Sequence, residues 1–86
     1  MDITAAIELI KEERERQKLL PGSEFDLTNG PNDWTAIAAK YLSESARCHG
    51  VAPHSDEFQN SLVKAAAVIF AAMDHIEHME KNKKLR

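Results

Sequence analysis

The stretch from Leu62 to Met73 contains a single polar residue, Lys64. A helix that is apolar on nearly every side must lie at the centre of a domain or between subunits. With 86 residues, the chain is too short for a second independently cored domain, and it offers two other helical segments to cover this one. We therefore predict one domain, residues 1–86, that forms a helical homo-oligomer, most simply a two-fold dimer pairing its third helices.

Hydrophobic periodicity predicts three helices. The chain has three Gly and three Pro, which is little turn chemistry for a many-stranded sheet. The predicted fold class is all-α, a three-helix hairpin or bundle with a long C-terminal helix. The predicted helices span residues 3–20, 33–49 and 56–81, followed by a basic tail at 81–86.

Capping residues set the predicted helix ends. Asp2 or Thr4 is expected to cap the first helix, and Asn32 or Asp33 the second. Gly50 is placed to terminate the second helix.

Three predictions concern burial. In the third helix the main apolar stripe consists of Phe58, Leu62, Ala65, Ala66, Ile69, Met73 and Ile76. Cys48 continues the inner stripe of the second helix and is expected to be buried as a small hydrophobe. The long loop 21–32 is expected to be functional, with Phe25 and Leu27 holding it to the core.

The charge distribution argues against nucleic-acid binding. The chain has 11 Lys and Arg against 14 Asp and Glu, and four of those cations lie in the last six residues. The rest of the chain is therefore acidic and is a poor match to the phosphate backbone of a nucleic acid. We do not expect nucleic acid as a partner. The basic tail is expected to be a solvated helix end.

Location follows from the cysteine count and the apolar runs. A lone cysteine excludes an intramolecular disulfide, and the longest apolar run, from Ala65 to Met73, is far below the ~20 residues of a membrane span. No signal-peptide pattern is present at the start of the sequence. We expect a cytoplasmic protein with no membrane partner.

Two polar residues lie on the apolar face of the first helix. The stripe that begins with Ile3, Ile7 and Ile10 continues onto Arg14 and Gln17. A buried guanidinium needs a partner, and its planar fork suits a carboxylate or a phosphate. Two interpretations stay open: an internal salt bridge, for example to Glu44 or Asp33, or a polar pocket for an anionic ligand.

Other candidate chemistry is weak. His75 and His78 lack the His-Glu-x-x-His spacing of a zinc helix, and a hydrated helix surface is the default interpretation. Carboxylates at Glu8, Glu12 and Glu15 are expected to form a solvated face. No nucleophile elbow and no glycine-rich phosphate loop are present. We therefore predict no catalytic residue, no metal and no cofactor.

Several segments together resemble short phage-encoded proteins. Glu13-Arg14-Glu15-Arg16-Gln17 is similar to a Glu-Arg-x-x-Gln signature in those proteins, and residues 34–41 resemble their second helix. Residues 61–69, followed by the acidic stretch 74–77, resemble their third. These phage proteins in turn look like reduced relatives of the all-α MazG-type nucleotide pyrophosphohydrolases.

The MazG resemblance implies a lost metal site. MazG-type enzymes bind Mg²⁺ through a Glu-Glu-x-x-Glu motif and a Glu-x-x-Asp motif on successive helices. The positions corresponding to these motifs are Lys40, Tyr41 and Glu44, then Ser61 and Lys64, so Glu44 is the one carboxylate retained. Because a lysine cannot ligate Mg²⁺, the resemblance implies a chain without this catalysis.

These considerations predict a non-catalytic protein that binds a nucleotide or another anionic small molecule. The resemblance to phage proteins implies a use for it, the sequestration of a host-defence signal. Two alternatives are a protein-binding inhibitor acting through its acidic surface and a residual Mg²⁺-dependent pyrophosphohydrolase. Cations would neutralise phosphates and an aromatic ring would stack on a base, although Lys40 and Lys64 could equally be ordinary solvent-facing lysines. The predicted ligand-binding residues are Arg14, Gln17, Trp34, Lys40, Tyr41, Glu44 and Lys64.

Overall fold

The computed structural model describes all 86 residues and consists of four α-helices, one short 3₁₀ turn and no β-strand. The all-α prediction is confirmed. Helices α1 and α2 both pack against α3, which is the central element of the fold. The elements are α1 (Ile3–Lys18), the 3₁₀ turn (Ser23–Leu27), α2 (Pro31–Ser43), α3 (Ser55–Asp74) and α4 (Ile76–Lys81).

The helix starts follow from capping chemistry. The side chain of Asp2 accepts a hydrogen bond from the backbone N–H of Ala5 at 2.8 Å. Of the two residues predicted to cap α1, Asp2 is therefore the cap. The predicted cap of α2 at Asn32 or Asp33 is wrong. Gly30 precedes the helix and Pro31 opens it, since proline has no N–H to leave unpaired there. Asp33 instead reaches back to accept from the backbone N–H of Gly30 at 2.8 Å.

Helix α2 ends six residues before its predicted end at residue 49. The hydroxyl of Ser43, the last helical residue, donates to the carbonyl of Lys40 at 2.8 Å, a local bond that competes with continuation of the helix. Gly50 therefore lies in a loop, at φ +83°, and does not terminate α2. Cys48 lies in the same loop and is exposed, so the prediction of a buried cysteine is also wrong.

The predicted third helix is interrupted at His75. The imidazole Nδ1 and the backbone N–H of His75 both bond to the carbonyl of Ala71, at 2.7 and 3.1 Å. The chain leaves helical geometry there and re-enters it as α4. This change of direction returns Met79 to the core, where it is 4% exposed.

The core is small and centres on one tryptophan. Trp34 of α2 packs against Val68 and Ala71 of α3 and against Met79 of α4. Around this cluster lie half-buried apolar residues, including Leu85. Alanines of α3 at these contacts allow α1 and α2 to approach α3 closely, because a small side chain shortens the distance between helix axes.

The large side chains of α3 do not face this core. The buried residues of α3 are Ser61, Ala65, Ala67, Val68 and Ala71. Of the predicted main stripe, Ala65 is buried and the large members are 42–63% exposed. The single chain therefore leaves the large side chains of this stripe partly exposed, and the predicted oligomer stays a prediction. We call the exposed set Phe58, Leu62, Ile69, Phe70 and Met73 the apolar strip.

The basic tail packs against the loop between α1 and α2. The ammonium of Lys84 donates to the carbonyl of Thr28, and the side-chain amide of Asn82 donates to the carbonyl of Leu27 at 3.4 Å. Both residues remain exposed, as the prediction of a solvated tail requires, and these bonds tie the tail to the loop. Phe25 and Leu27, predicted to hold the loop to the core, are more than half exposed. No helix of this chain combines the length and the hydropathy that a bilayer crossing requires.

Candidate ligand-binding site

A cavity of about 230 Å³ lies between the C-terminal half of α1, the loop that follows it and α2. We call it the α1–α2 cavity. Its wall is mixed, with apolar side chains beside an arginine, an aspartate, two amides and a hydroxyl. The lining residues are Arg14, Gln17, Leu20, Pro21, Gly22, Ser23, Asp26, Asn29, Trp34, Ile37, Tyr41 and Val68.

Arg14 holds the loop to α1. Its guanidinium Nη2 donates to Oδ2 of Asp26 at 2.9 Å, and the two side chains are 15% and 20% exposed. The predicted internal salt bridge is therefore present, but its partner is Asp26 rather than Glu44 or Asp33. Because the pair is nearly neutral as a unit, the cavity wall carries little net charge at this point.

Gln17 is buried and its amide orientation is fixed. Its Nε2 donates one hydrogen to Oε2 of Glu13 at 2.9 Å and the other to the carbonyl of Lys64 at 3.1 Å. A flipped amide would place its oxygen against two acceptors, so the assignment is unambiguous. The remaining atom, Oε1, is buried and has no hydrogen-bond partner in the protein. Gln17, a lining residue of the cavity, thus carries an unmatched buried acceptor.

Trp34, which lines this cavity and also an apolar groove on its other side, carries an unmatched donor. The residue is 5% exposed, and its indole Nε1–H has no partner in the protein. Buried polar groups are nearly always paired, and leaving one unpaired costs about 1–3 kcal/mol. Gln17 and Trp34 contain the chain's two buried side-chain polar atoms that lack a partner, and both residues line this one cavity.

Glu13 positions the amide of Gln17. Both of its carboxylate oxygens accept from the guanidinium of Arg16 at 2.7 Å. The hydrogen bonds from Arg16, followed by the one from Gln17, outweigh the effect of burial and hold the pKa of Glu13 below its usual range. The same pairing raises the pKa of Arg16. Glu13 therefore stays charged and keeps the amide of Gln17 in place.

Cationic charge lies beside the cavity rather than inside it. The ammonium of Lys64 is 5.8 Å from the ring centre of Tyr41 and 3.6 Å from Oε2 of Glu44. Arg16 also lies near Tyr41, which contributes to the raised pKa of that guanidinium.

The structure brings together four of the seven predicted site residues. Arg14, Gln17, Trp34 and Tyr41 line the α1–α2 cavity. Lys40 is exposed and lines none of the three main cavities. The other two residues line a separate polar cleft of about 340 Å³, whose wall consists of Glu44, Arg47, Glu57, Asn60, Ser61 and Lys64.

Sequence reasoning missed Glu13, Asp26 and the loop residues that close the cavity. Glu13 belongs to the quoted Glu-Arg-x-x-Gln segment, so the spacing of four between Glu13 and Gln17 was an available signal. Asp26 had no such signal, because its partner Arg14 lies on another element. Gly22, with φ +98°, starts the 3₁₀ turn and shapes the loop; this backbone region favours glycine.

The carboxylates do not fit a Mg²⁺ cluster. No three His, Cys, Asp or Glu side chains gather where they could share a metal ion. Glu44, the carboxylate retained from the MazG-type motifs, is paired with Lys64. A hard divalent cation needs several oxygen ligands, and a lysine in that position opposes it.

His75 is not simply a hydrated surface residue. The residue is half-buried. The centre of its ring lies 5.4 Å from that of Trp34 and 5.6 Å from that of His78. A second, apolar groove of about 530 Å³ adjoins Trp34 between α2 and the α3–α4 segment. Its lining includes Leu42, Ile69, Met73 and Ile76.

Comparison of the chain with known protein families, curated proteins and solved structures finds no match. The resemblance to phage-encoded and MazG-type proteins therefore stays a prediction, based on the residues quoted for it.

Proposed function

We propose that this chain is a non-catalytic binding protein for a nucleotide or a related anionic small molecule, held in the α1–α2 cavity. One observation carries the proposal: the cavity is lined by two residues that hold an unmatched buried acceptor, Oε1 of Gln17, and an unmatched buried donor, Nε1–H of Trp34. Both atoms are shielded from solvent by the protein, so the proposal requires a small side-chain movement that exposes them to a ligand carrying a donor and an acceptor.

The volume favours one part of a nucleotide as the occupant. Cavities for drug-sized ligands span roughly 300–1,000 Å³, and this one is about 230 Å³. A nucleobase fits that scale and carries donors and acceptors on one edge. Trp34 and Tyr41 supply aromatic surface to a planar ring.

The charges favour an anionic group outside the cavity. Arg14 is already matched by Asp26 inside it. Lys64 and Arg16 lie beside Tyr41 and are also paired, with Glu44 and Glu13, but their side chains are more exposed than that of Arg14. In the proposal they share their charge with a phosphate beside Tyr41. In this arrangement the cavity recognises the neutral ring and the cations outside it add affinity.

The first experiment is a ligand screen on the purified protein. Thermal shift and calorimetry with nucleobases, nucleosides, nucleotides and cyclic nucleotides would detect binding, because a ligand at 100 times its Kd stabilises the folded state by about 2.7 kcal/mol. Denaturing mass spectrometry of the purified protein would detect a co-purified ligand. If no compound binds and none co-purifies, water alone satisfies the two atoms and the proposal fails.

The second experiment localises binding. Gln17→Met removes the unmatched acceptor at nearly constant volume, and we expect it to weaken binding by about 10-fold to 100-fold. Gln59→Met is the matched control, since Gln59 is exposed on α3 and lines neither the cavity nor the cleft. Equal affinities of the two variants would show that the ligand lies elsewhere.

The biological use in this proposal follows the phage resemblance. A binder that does not hydrolyse its nucleotide would lower the free concentration of that nucleotide, for example of a host-defence signal. The proposed setting is the cytoplasm, and the proposed partners are the small molecule and a second copy of this chain.

Two alternatives have less support. A residual Mg²⁺-dependent hydrolase needs carboxylates that the chain does not gather. Release of pyrophosphate from a triphosphate, abolished by Glu44→Ala, would establish it. A protein inhibitor acting through its acidic surface is weakened by local pairing, because Glu8 and Glu15 lie 3.6 and 3.1 Å from Lys11 and Lys18.

A further inference from the structure

The apolar strip runs along the side of α3 that neither α1 nor α2 covers. At 100° per residue, Phe58, Leu62, Ile69 and Met73 fall within about 60° of one another around the helix axis. Each is between 43% and 63% exposed, and Phe70, at the edge of the strip, is 46% exposed. The strip therefore extends over about four turns of α3, with small Ala65 and Ala66 between Leu62 and Ile69.

The exposed area of the strip is close to what a stable dimer buries. Its five large side chains and neighbouring Ile76 are each about half exposed, which amounts to roughly 500 Å² of apolar surface, at the upper end of what monomers expose. Homodimer interface cores are about 65% apolar, so this apolar area corresponds to a footprint of about 800 Å² per chain.

The strip contains no charge. Lys64 is the one charged residue between Phe58 and Met73, and it lies on the opposite side of α3, paired with Glu44. A partner recognised by charge would find no ionic contact here. Two copies of this acidic chain could meet through such a surface without placing like charges against each other.

The order of side chains along the strip is symmetric. Leu62 and Ile69 are equidistant from the midpoint between Ala65 and Ala66, and so are Phe58 and Met73. A two-fold axis through that midpoint makes the contact isologous, so that each residue of a pair meets the other in the second copy. Ala66, at the crossing point, is small enough for close approach of the helices.

We propose that the apolar strip is the interface of an antiparallel α3–α3 homodimer, with Leu62 facing the partner's Ile69 and Phe58 facing the partner's Met73. The apolar groove beside the strip fits this arrangement. The groove is lined in part by two residues of the strip, Ile69 and Met73, and by neighbouring Ile76. In the proposed register the partner's Phe58 reaches Met73 at this groove and fills part of its 530 Å³.

The first test measures the mass in solution by light scattering and sedimentation at micromolar concentrations. The wild-type chain is expected at twice its 9.6 kDa mass. Ile69→Glu places a charge in the centre of the interface and should raise the dimer Kd by about 100-fold or more, with helical circular dichroism retained. Leu19→Glu is the matched control, because Leu19 is 86% exposed and outside the strip. A monomeric wild type, or equal dissociation of both variants, would overturn the proposal.

The second test determines the register by cross-linking. Exposed Cys48 is first replaced by Ser, and Phe58→Cys and Met73→Cys are made as separate proteins in that background. An antiparallel dimer predicts a disulfide between the two proteins when they are mixed, and little cross-linking of either protein alone. Cross-linking of Phe58→Cys with itself would show parallel helices and refute the antiparallel register. An absence of cross-links in a dimer of confirmed mass would place the interface on another surface.

Discussion

The ion pair between Arg14 and Asp26 offers a direct measurement of what holds the cavity loop to α1. Nη2 of Arg14 and Oδ2 of Asp26 are 2.9 Å apart, and the two side chains are 15% and 20% exposed. Solvent therefore screens their charges only in part. A charged hydrogen bond contributes about 1.5–3 kcal/mol net, and removing one partner leaves the other charge half-buried. We expect Arg14→Met to lower the free energy of unfolding by about 2–3 kcal/mol.

The assay is a double-mutant cycle by urea denaturation at one fixed protein concentration. Arg14→Met, Asp26→Asn and the double variant are compared with the wild type, and we expect a coupling energy of about 1–2 kcal/mol. For a chain of this length, a loss of 2 kcal/mol corresponds to a fall in Tm of roughly 8–16 °C. Lys18→Met is the control, because its pair with Glu15 is exposed and should contribute less than about 0.5 kcal/mol. If Arg14→Met costs no more than Lys18→Met, the pair does not anchor the loop.

Three further predictions concern pH, the loop and the core. The pKa of Glu13 is lowered in the folded state, so the charged carboxylate stabilises the fold above about pH 4.3, the usual pKa of an unfolded glutamate. This stabilisation is lost as the pH falls below that value. Glu13→Gln should therefore flatten the acid limb of a plot of stability against pH. Gly22→Ala should cost about 1–2 kcal/mol, from backbone strain alone, since an added Cβ would meet nothing within 4 Å; Gly22→Asn should restore part of this in thermal melts. Ala71→Leu should cost about 1–3 kcal/mol by overpacking, whereas Ala36→Leu on the exposed side of α2 should be nearly neutral in denaturant titrations.

The sequence predicts the helical class well, but not which face of α3 is inside. Where a segment is apolar on nearly all sides, periodicity cannot distinguish the face that packs within the chain from a face that stays exposed. In this fold the small residues Ala65, Ala67 and Ala71 face the neighbouring helices, and the large ones face outward. Helices that pack closely need small side chains at their contacts. A prediction based on hydrophobicity gives such residues less weight than leucine or phenylalanine.

The helix ends were less predictable because they depend on local side-chain bonds. The serine that ends α2 and the histidine that separates α3 from α4 act through bonds to carbonyls in the preceding turn. Within the helical pattern, neither residue type is a strong stop signal.

Part of the site could be predicted from one helix alone. Arg14 and Gln17 stand out because polar residues interrupt an apolar stripe, and both line the cavity. Asp26 and the position of Lys40 depend on how separate elements meet, and a pattern along one helix has no information about that.

If the proposed ligand binds in the α1–α2 cavity, the fixed amide of Gln17 makes recognition there sensitive to a single proton. Both of its hydrogens are already engaged, so the residue can receive a hydrogen bond there but cannot give one. Under the proposed function, a heterocycle that presents N–H to Oε1 of Gln17 would bind, and the tautomer that presents a bare lone pair would be repelled. Discrimination of this kind depends on the protonation pattern of the guest rather than on its size.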